Sequence, residues 1–404
     1  MNSQNGSLPD GKGLEADRIQ SRAKVLASYG ASPGETKELL RYNSNTFAFA
    51  MPGNVQFPLA DEGYVEAWSM YSAEVARAND FKAIYPWIPQ LQFPIQEGLS
   101  QKSEYIAATR QGLMTYPEGI ASGLYLERPD RCRIILHSGM AGRIPVILTA
   151  SRADFVALVR AFTKKGEPVP VPESMGAVII GGYNNWHRIQ LLRDAYYAAE
   201  NSGWDWQAKF QEIKEQKDLY QDRFIILSPG AYSGVEAASL QLEDEQWASI
   251  SVAIRLEHEC THFFTRRVFG SMRNNLLDEL IADYCGLDKA VAEYSAEWAL
   301  RFLGLEEDAG YRIGGRLENY RGNPPLSHSS FAILGRLVRD VVANLERFNA
   351  ATAAWRGTDP YRVASILTLV NFTLEELAAQ GAEARLTQQF GMHQALLEES
   401  MAKA

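Results

Sequence analysis

At 404 residues, with 46% hydrophobic and 22% charged side chains, the chain is too apolar for general disorder and long enough for two domains, or for one with an N-terminal elaboration. The net charge of -9 is dispersed, and no basic run occurs that could neutralise a phosphate backbone, so nucleic acid is excluded as the expected partner. No apolar run approaches the roughly 20 residues that span a bilayer, and the polar start "MNSQNGSLPDGKGLEADR" has no apolar signal core, so a cytoplasmic setting without a membrane partner is expected.

In chain order, residues 1–15 read as a flexible lead rich in Gly, Ser, Asn and Pro. A mixed region of no assigned role follows over 16–120; "EAWSMYSAEVARA" has helical spacing, and "YPWIPQLQFPIQEG" holds too many prolines for a regular element. Three β-rich runs in "SGLYLERPDRCRIILHSGMAGRIPVILTA" predict an antiparallel meander. Ser151 then caps a helix, with Asp154 at its third position. A further strand, "AVIIGG", ends in the Gly-rich turn "GGYNNWHR", a helical stretch runs to about 219, and "RFIILSPG" is the last strand. Beyond about 242 the spacing predicts helices over 243–269, 275–290, 293–304 and 328–349, with further pieces to the C-terminus. The expected class is α+β, a mixed sheet over about 122–228 followed by a mainly helical half, with 121–404 as one catalytic domain.

The stretch "LEHECTHFF" places His258, Glu259 and His262 in the spacing H-E-x-x-H. Residues four apart lie on nearly one helix face, so both imidazoles can bind one ion, while Glu259, about 100° round, can act on a water without being a ligand. Seventeen residues beyond His262, "NNLLDELIADYCGL" sets Glu279 and Asp283 one turn apart, flanking the stripe of Leu276, Leu280 and Tyr284, with Asp278 pointing away. Carboxylates at the edge of a buried face need a positive partner, which a metal ion and its histidines would supply.

This pattern over residues 224–287, H-E-x-x-H followed by Glu279-x-x-x-Asp283, resembles the gluzincin group of zincin metallopeptidases. The resemblance implies a zincin-like fold with one zinc per chain held by His258, His262 and Glu279. Asp283 would orient a liganding imidazole, and the strand before the motif helix would lie along the substrate. No Gly or His follows His262 at the metzincin positions. The expected activity is hydrolysis of a peptide or other amide by water activated at the ion, with Glu259 as general base. Tyr320, Arg321 and His328, in the Gly/Pro-rich "YRIGGRLENYRGNPPLSHSS", are candidate donors to the oxyanion, with His328 otherwise capping the next helix.

Other residues carry plainer readings. Cys132, Cys260 and Cys285 are too few and scattered for a disulfide framework or a thiolate zinc site and are expected to be buried thiols, Cys260 facing away from the ion. Tyr183, Asn184, Trp186 and His187 could shape a pocket, but the turn's Asn side chains more simply cap the next helix. His137 and His393 have no partner at useful spacing and read as structural. Two rival functions fit the same ligands: a non-haem iron oxidoreductase using His258, His262 and Glu279, and a non-catalytic binding protein stabilised by its metal.

Overall fold

In the computed structural model, which describes residues 11–47, 55–113, 123–199, 205–271, 276–307 and 310–401, the chain is an α+β protein that divides into two units. One is Val55–Val268; the other joins Met1–Asn54 to Phe269–Ala404. This division crosses the mixed region expected over 16–120, giving helices α1 (Gly11–Ser28) and α2 (Pro33–Tyr42) to the second unit and the remainder to the first. Helix α1 begins inside the expected flexible lead, whose residues 1–10 lie outside the described residues.

The first unit holds α3 (Val65–Ala78), α4 (Ser103–Gln111), β1 (Arg133–Gly139), β2 (Gly142–Leu148), α5 (Arg152–Thr163), β3 (Ala177–Asn184), α6 (Trp186–Ala198), α7 (Trp206–Glu215), β4 (Gln221–Leu227) and α8 (Asp244–Phe269). Its sheet has the order β1-β2-β4-β3, with β2 and β4 parallel and the other pairs antiparallel. The expected three-strand meander is therefore corrected to one hairpin. Its first run does not join the sheet because the Leu124 N–H bonds the Leu91 carbonyl, 2.9 Å away, and Leu124 is buried under that turn. The strand expected to stop at Gly182 continues to Asn184 through a bulge between Gly181 and Tyr183, which Gly182 accommodates at φ 73°. Strand β4 has neighbours on both sides, so over Ile225–Leu227 its backbone is engaged by β2 and β3, where a substrate strand would need it free.

Helix α3 packs on β1 and β2, and α5 on β3 and β4. Trp68, Tyr71, Phe155 and Phe224, all fully buried, fill the layer between them. Within it Asp222 accepts from Trp68 Nε1 at 2.8 Å and Asn185 Nδ2 at 2.6 Å and pairs with Arg188 at 2.5 Å. Asn185 also caps α6 by accepting from the Arg188 N–H. The capping reading of "GGYNNWHR" thus holds, at Asn185.

The second unit continues with α9 (Leu276–Val291), α10 (Ala296–Leu303), α11 (His328–Ala351), α12 (Asp359–Leu369), α13 (Leu374–Ala378) and α14 (Ala382–Met401). Ser32 and Glu35 form a capping box at the start of α2, with Pro33 at its first position. Helix α11 packs against α2, α10, α13 and α14, and α12 against α9 and α14, with Tyr284 stacked on Phe348 and Phe390 edge-on to Phe348 among them. Every residue from Leu276 to Leu287 of α9 is buried, including Asp278, which corrects the outward placement expected from a one-sided apolar stripe. Among the described residues no helix is long and apolar enough to cross a membrane.

Candidate metal centre

Helix α8 buries Arg255, Glu257, His258, Glu259 and His262, each no more than 8% exposed. Burying that many polar groups is costly unless each meets a partner. The two histidines meet each other: Nε2 of His258 lies 3.1 Å from Nε2 of His262, with the ring planes 81° apart. Two imidazole nitrogens this close either share a proton or both address one cation. Ligand atoms on a tetrahedral ion with bonds of 2.0–2.1 Å stand about 3.3 Å apart, so the pair already has the spacing of two zinc ligands.

The loop after β4 is held against the same helix. Arg255, three residues before His258, donates to the carbonyls of Ser228 (3.2 Å), Gly230 and Ala231 (2.5 Å), and its guanidinium lies 5.6 Å from the centre of the Tyr232 ring. Burial pushes its pKa down to about 10, Tyr232 opposing and Arg152 adding to the shift. Gly176 leaves the space, since a Cβ there would overlap the guanidinium. Ser251 Oγ accepts from the Tyr232 N–H at 3.0 Å, which fixes the backbone of the turn Tyr232–Gly234. The Tyr232 hydroxyl then reaches Nδ1 of His258 at 3.1 Å. When Nε2 serves a metal, Nδ1 carries the proton and the phenol oxygen accepts it, which sets the tautomer and the ring plane.

On α9, Glu279 and Asp283 are 8% and 1% exposed. The turn Arg316–Tyr320 supplies partners for both. Arg316 forms an ion pair with Asp283, its side chain 11% exposed. Tyr320 donates its hydroxyl to Glu279, and burial first, then the charge of Glu279 and this hydrogen bond, hold the phenol far above its ordinary pKa although Arg316 opposes them. The expected oxyanion donor Tyr320 thus lies at Glu279, its single hydroxyl proton directed to that carboxylate. His258, His262 and Glu279 each offer a ligand atom, and these atoms all lie within 4.8 Å of one another. Two imidazoles and one carboxylate are the donor set of an open, three-ligand zinc site, so these residues fit the ion that the motif implies.

The remaining candidates fall elsewhere. His328 is exposed at the first position of α11, whose cap is Ser327, so the capping role expected of it falls to the serine. Arg321 is committed to packing, its guanidinium 4.1 Å from the centre of the Phe331 ring. Cys132 and Cys285 are buried thiols, whereas Cys260 is partly exposed, which corrects its reading as a core residue. His187 stacks on Trp87 and bonds the Tyr71 hydroxyl at 2.9 Å, and His393 bonds Thr368 at 3.0 Å; both are structural. His137 does have a carboxylate partner: its Nε2 stands 3.6 Å from Glu257 on α8. The sequence reading missed Tyr232, Arg255, Arg316 and this pair. The order "SPGAYSG", a strand end running into a Gly-flanked aromatic just before the motif helix, was the one available signal for Tyr232.

A family model described as "Family of unknown function (DUF7005)" matches residues 24–381. No curated protein and no solved structure matches the chain.

Proposed function

The chain belongs to this family of unknown function, so its own residues must carry the functional reading, and we propose that it is a zinc-dependent hydrolase of a peptide or other amide bond. The observation that carries the reading is the convergence of His258, His262 and Glu279, with ligand atoms within 4.8 Å of one another, on the two motifs picked out in sequence. The zincin-like character of the fold belongs to the same proposal. It rests on a sheet leading into an H-E-x-x-H helix and on a carboxylate from the next helix.

In this reading His258, His262 and Glu279 hold the zinc, which when bound acidifies water and polarises the scissile carbonyl. Glu259, buried next to His258, takes the proton from the attacking water and delivers it to the leaving nitrogen. Tyr232 accepts a hydrogen bond from the Nδ1–H of His258, and Tyr320 donates one to Glu279. Arg316 pairs with Asp283, one turn along α9 from Glu279. A cytoplasmic setting is part of the proposal, in keeping with three cysteines that remain thiols.

Two measurements test it. Elemental mass spectrometry should find about one zinc per chain in the wild type and far less in Glu279→Ala. The Glu259→Gln protein should keep its zinc and lose turnover of a peptide library. Wild-type protein that takes up no zinc when it is offered, or full turnover by Glu259→Gln, sinks the hydrolase; stoichiometric iron in place of zinc would move the site to redox chemistry.

A further inference from the structure

The turn Arg316–Tyr320 serves two acidic residues of α9 at once, Arg316 pairing with Asp283 and Tyr320 donating its hydroxyl to Glu279. A side chain that orients a ligand must itself be held to within about 0.5 Å. Tyr320 is held through its backbone, because its carbonyl accepts from the Tyr42 hydroxyl of α2 at 2.6 Å. The Tyr42 ring also lies against Gly322, where a Cβ would come within 3.1 Å of it, so the chain just beyond Tyr320 is seated on the same phenol.

Tyr42 is fixed in turn. On either side of it the Leu40 and Asn43 carbonyls accept from Arg22 of α1, at 3.3 and 3.1 Å. Arg22 is 7% exposed and pairs with the fully buried Glu375 of α13, which also accepts from Asn43 Nδ2 at 2.9 Å. Four residues before Tyr42, Glu38 accepts from the Ser327 N–H and Oγ, both at 2.7 Å, and from Ser330 Oγ. The segment from Tyr320 to Ser327 is thus tied to α2 at both ends, and all of these residues belong to the second unit. A phenylalanine at 42 would fill the same space with no polar atom to satisfy, so the hydroxyl serves something other than packing.

We propose that Tyr42 is a positioning residue for the metal centre: it fixes the Tyr320 backbone, so that the Tyr320 hydroxyl meets Glu279 in the orientation a ligand needs. Helices α1 and α2 thereby gain a role in a site to which they contribute no ligand. The relay rests on the zinc reading for calling Glu279 a ligand, and on the hydrogen bonds alone for the order Tyr42, Tyr320, Glu279.

The test is zinc affinity, by competition against a chelator, in full-length wild type, Tyr42→Phe, Tyr320→Phe and the double variant. On metal-free samples of wild type and Tyr42→Phe, nuclear magnetic resonance reads the exchange of the Tyr320 hydroxyl proton with water. Tyr320→Phe should weaken zinc about 10–100-fold and Tyr42→Phe about fivefold, with no further loss in the double variant. The Tyr320 proton should exchange about tenfold faster in Tyr42→Phe. Tyr29→Phe, which removes a hydroxyl that donates to Asp340 in the same unit, is the control for lost stability and should leave zinc affinity unchanged. Wild-type affinity in Tyr42→Phe, additive losses in the double variant, or an equal loss in Tyr29→Phe overturns the relay. Protein that takes up no zinc overturns the hydrolase, and the proton then decides by itself: faster exchange in Tyr42→Phe keeps the relay and unchanged exchange overturns it. Zinc bound with the expected losses, but no turnover of any peptide, keeps the relay and overturns the hydrolase.

Discussion

The hydroxyl of Tyr232 lies 3.1 Å from Nδ1 of His258, so the loop after the last strand reaches back to the first histidine of the motif helix. If His258 binds zinc through Nε2, this contact fixes the tautomer that makes binding possible. Tyr232→Phe should then weaken zinc binding about 10–100-fold while leaving the fold intact. Competition against a chelator of known affinity measures it. Unchanged affinity would reduce Tyr232 to a packing residue.

Gly176 and Arg255 give a prediction about stability. An alanine at 176 would drive a methyl into the guanidinium that clasps the Ser228–Ala231 carbonyls. The Gly176→Ala variant should lose about 1–3 kcal/mol, read from urea unfolding. Gly181→Ala is the control, because a Cβ there meets nothing within 4 Å. Equal losses in the two variants would show that the effect comes from glycine replacement in general and that the clasp contributes nothing.

The Asp283–Arg316 pair is nearly dry, with side chains 1% and 11% exposed. Removing one member takes the ion-pair partner from the other, buried charge, so Asp283→Ala or Arg316→Ala should each cost about 3–5 kcal/mol. Replacing both with apolar residues of similar size should cost clearly less than the two single changes together. Additive losses would mean that the residues act independently.

Stability should also fall as the medium is acidified. Burial lowers the pKa of His187 and of His393 below the usual 6.5. The unfolded chain therefore takes up protons that the folded chain refuses; the stabilisation is complete above about pH 6.5 and is lost as pH drops through the folded values. Thermal midpoints measured between about pH 7 and 5 should decline less steeply in a His187→Gln, His393→Gln double variant than in wild type. Parallel declines would assign the acid sensitivity to other groups.

Much of this molecule is written locally. His258, Glu259 and His262 declare themselves because ligation from one helix demands a spacing of four, and Glu279 follows because a carboxylate inside an apolar helix stripe is rare without cause. The long C-terminal helices, the cap at Ser151 and the strands at 177 and 221 were likewise legible, since periodicity and capping act within one turn or one pleat. What no local pattern carries is pairing. The run around Leu124 has strand composition yet spends its N–H on Leu91, and β4, far along the chain from the expected meander, lies parallel to β2.

The same holds for the polar partners. Tyr232 to His258, His137 to Glu257, Arg316 to Asp283 and Tyr320 to Glu279 join residues that are 26 to more than a hundred positions apart. Tertiary structure alone decided these, because a hydrogen bond or ion pair depends on distance in space, and chain separation between loops and helices says almost nothing about it. The sequence by itself determined which atoms could hold a metal; the fold decided which phenol, which guanidinium and which glycine hold those atoms still.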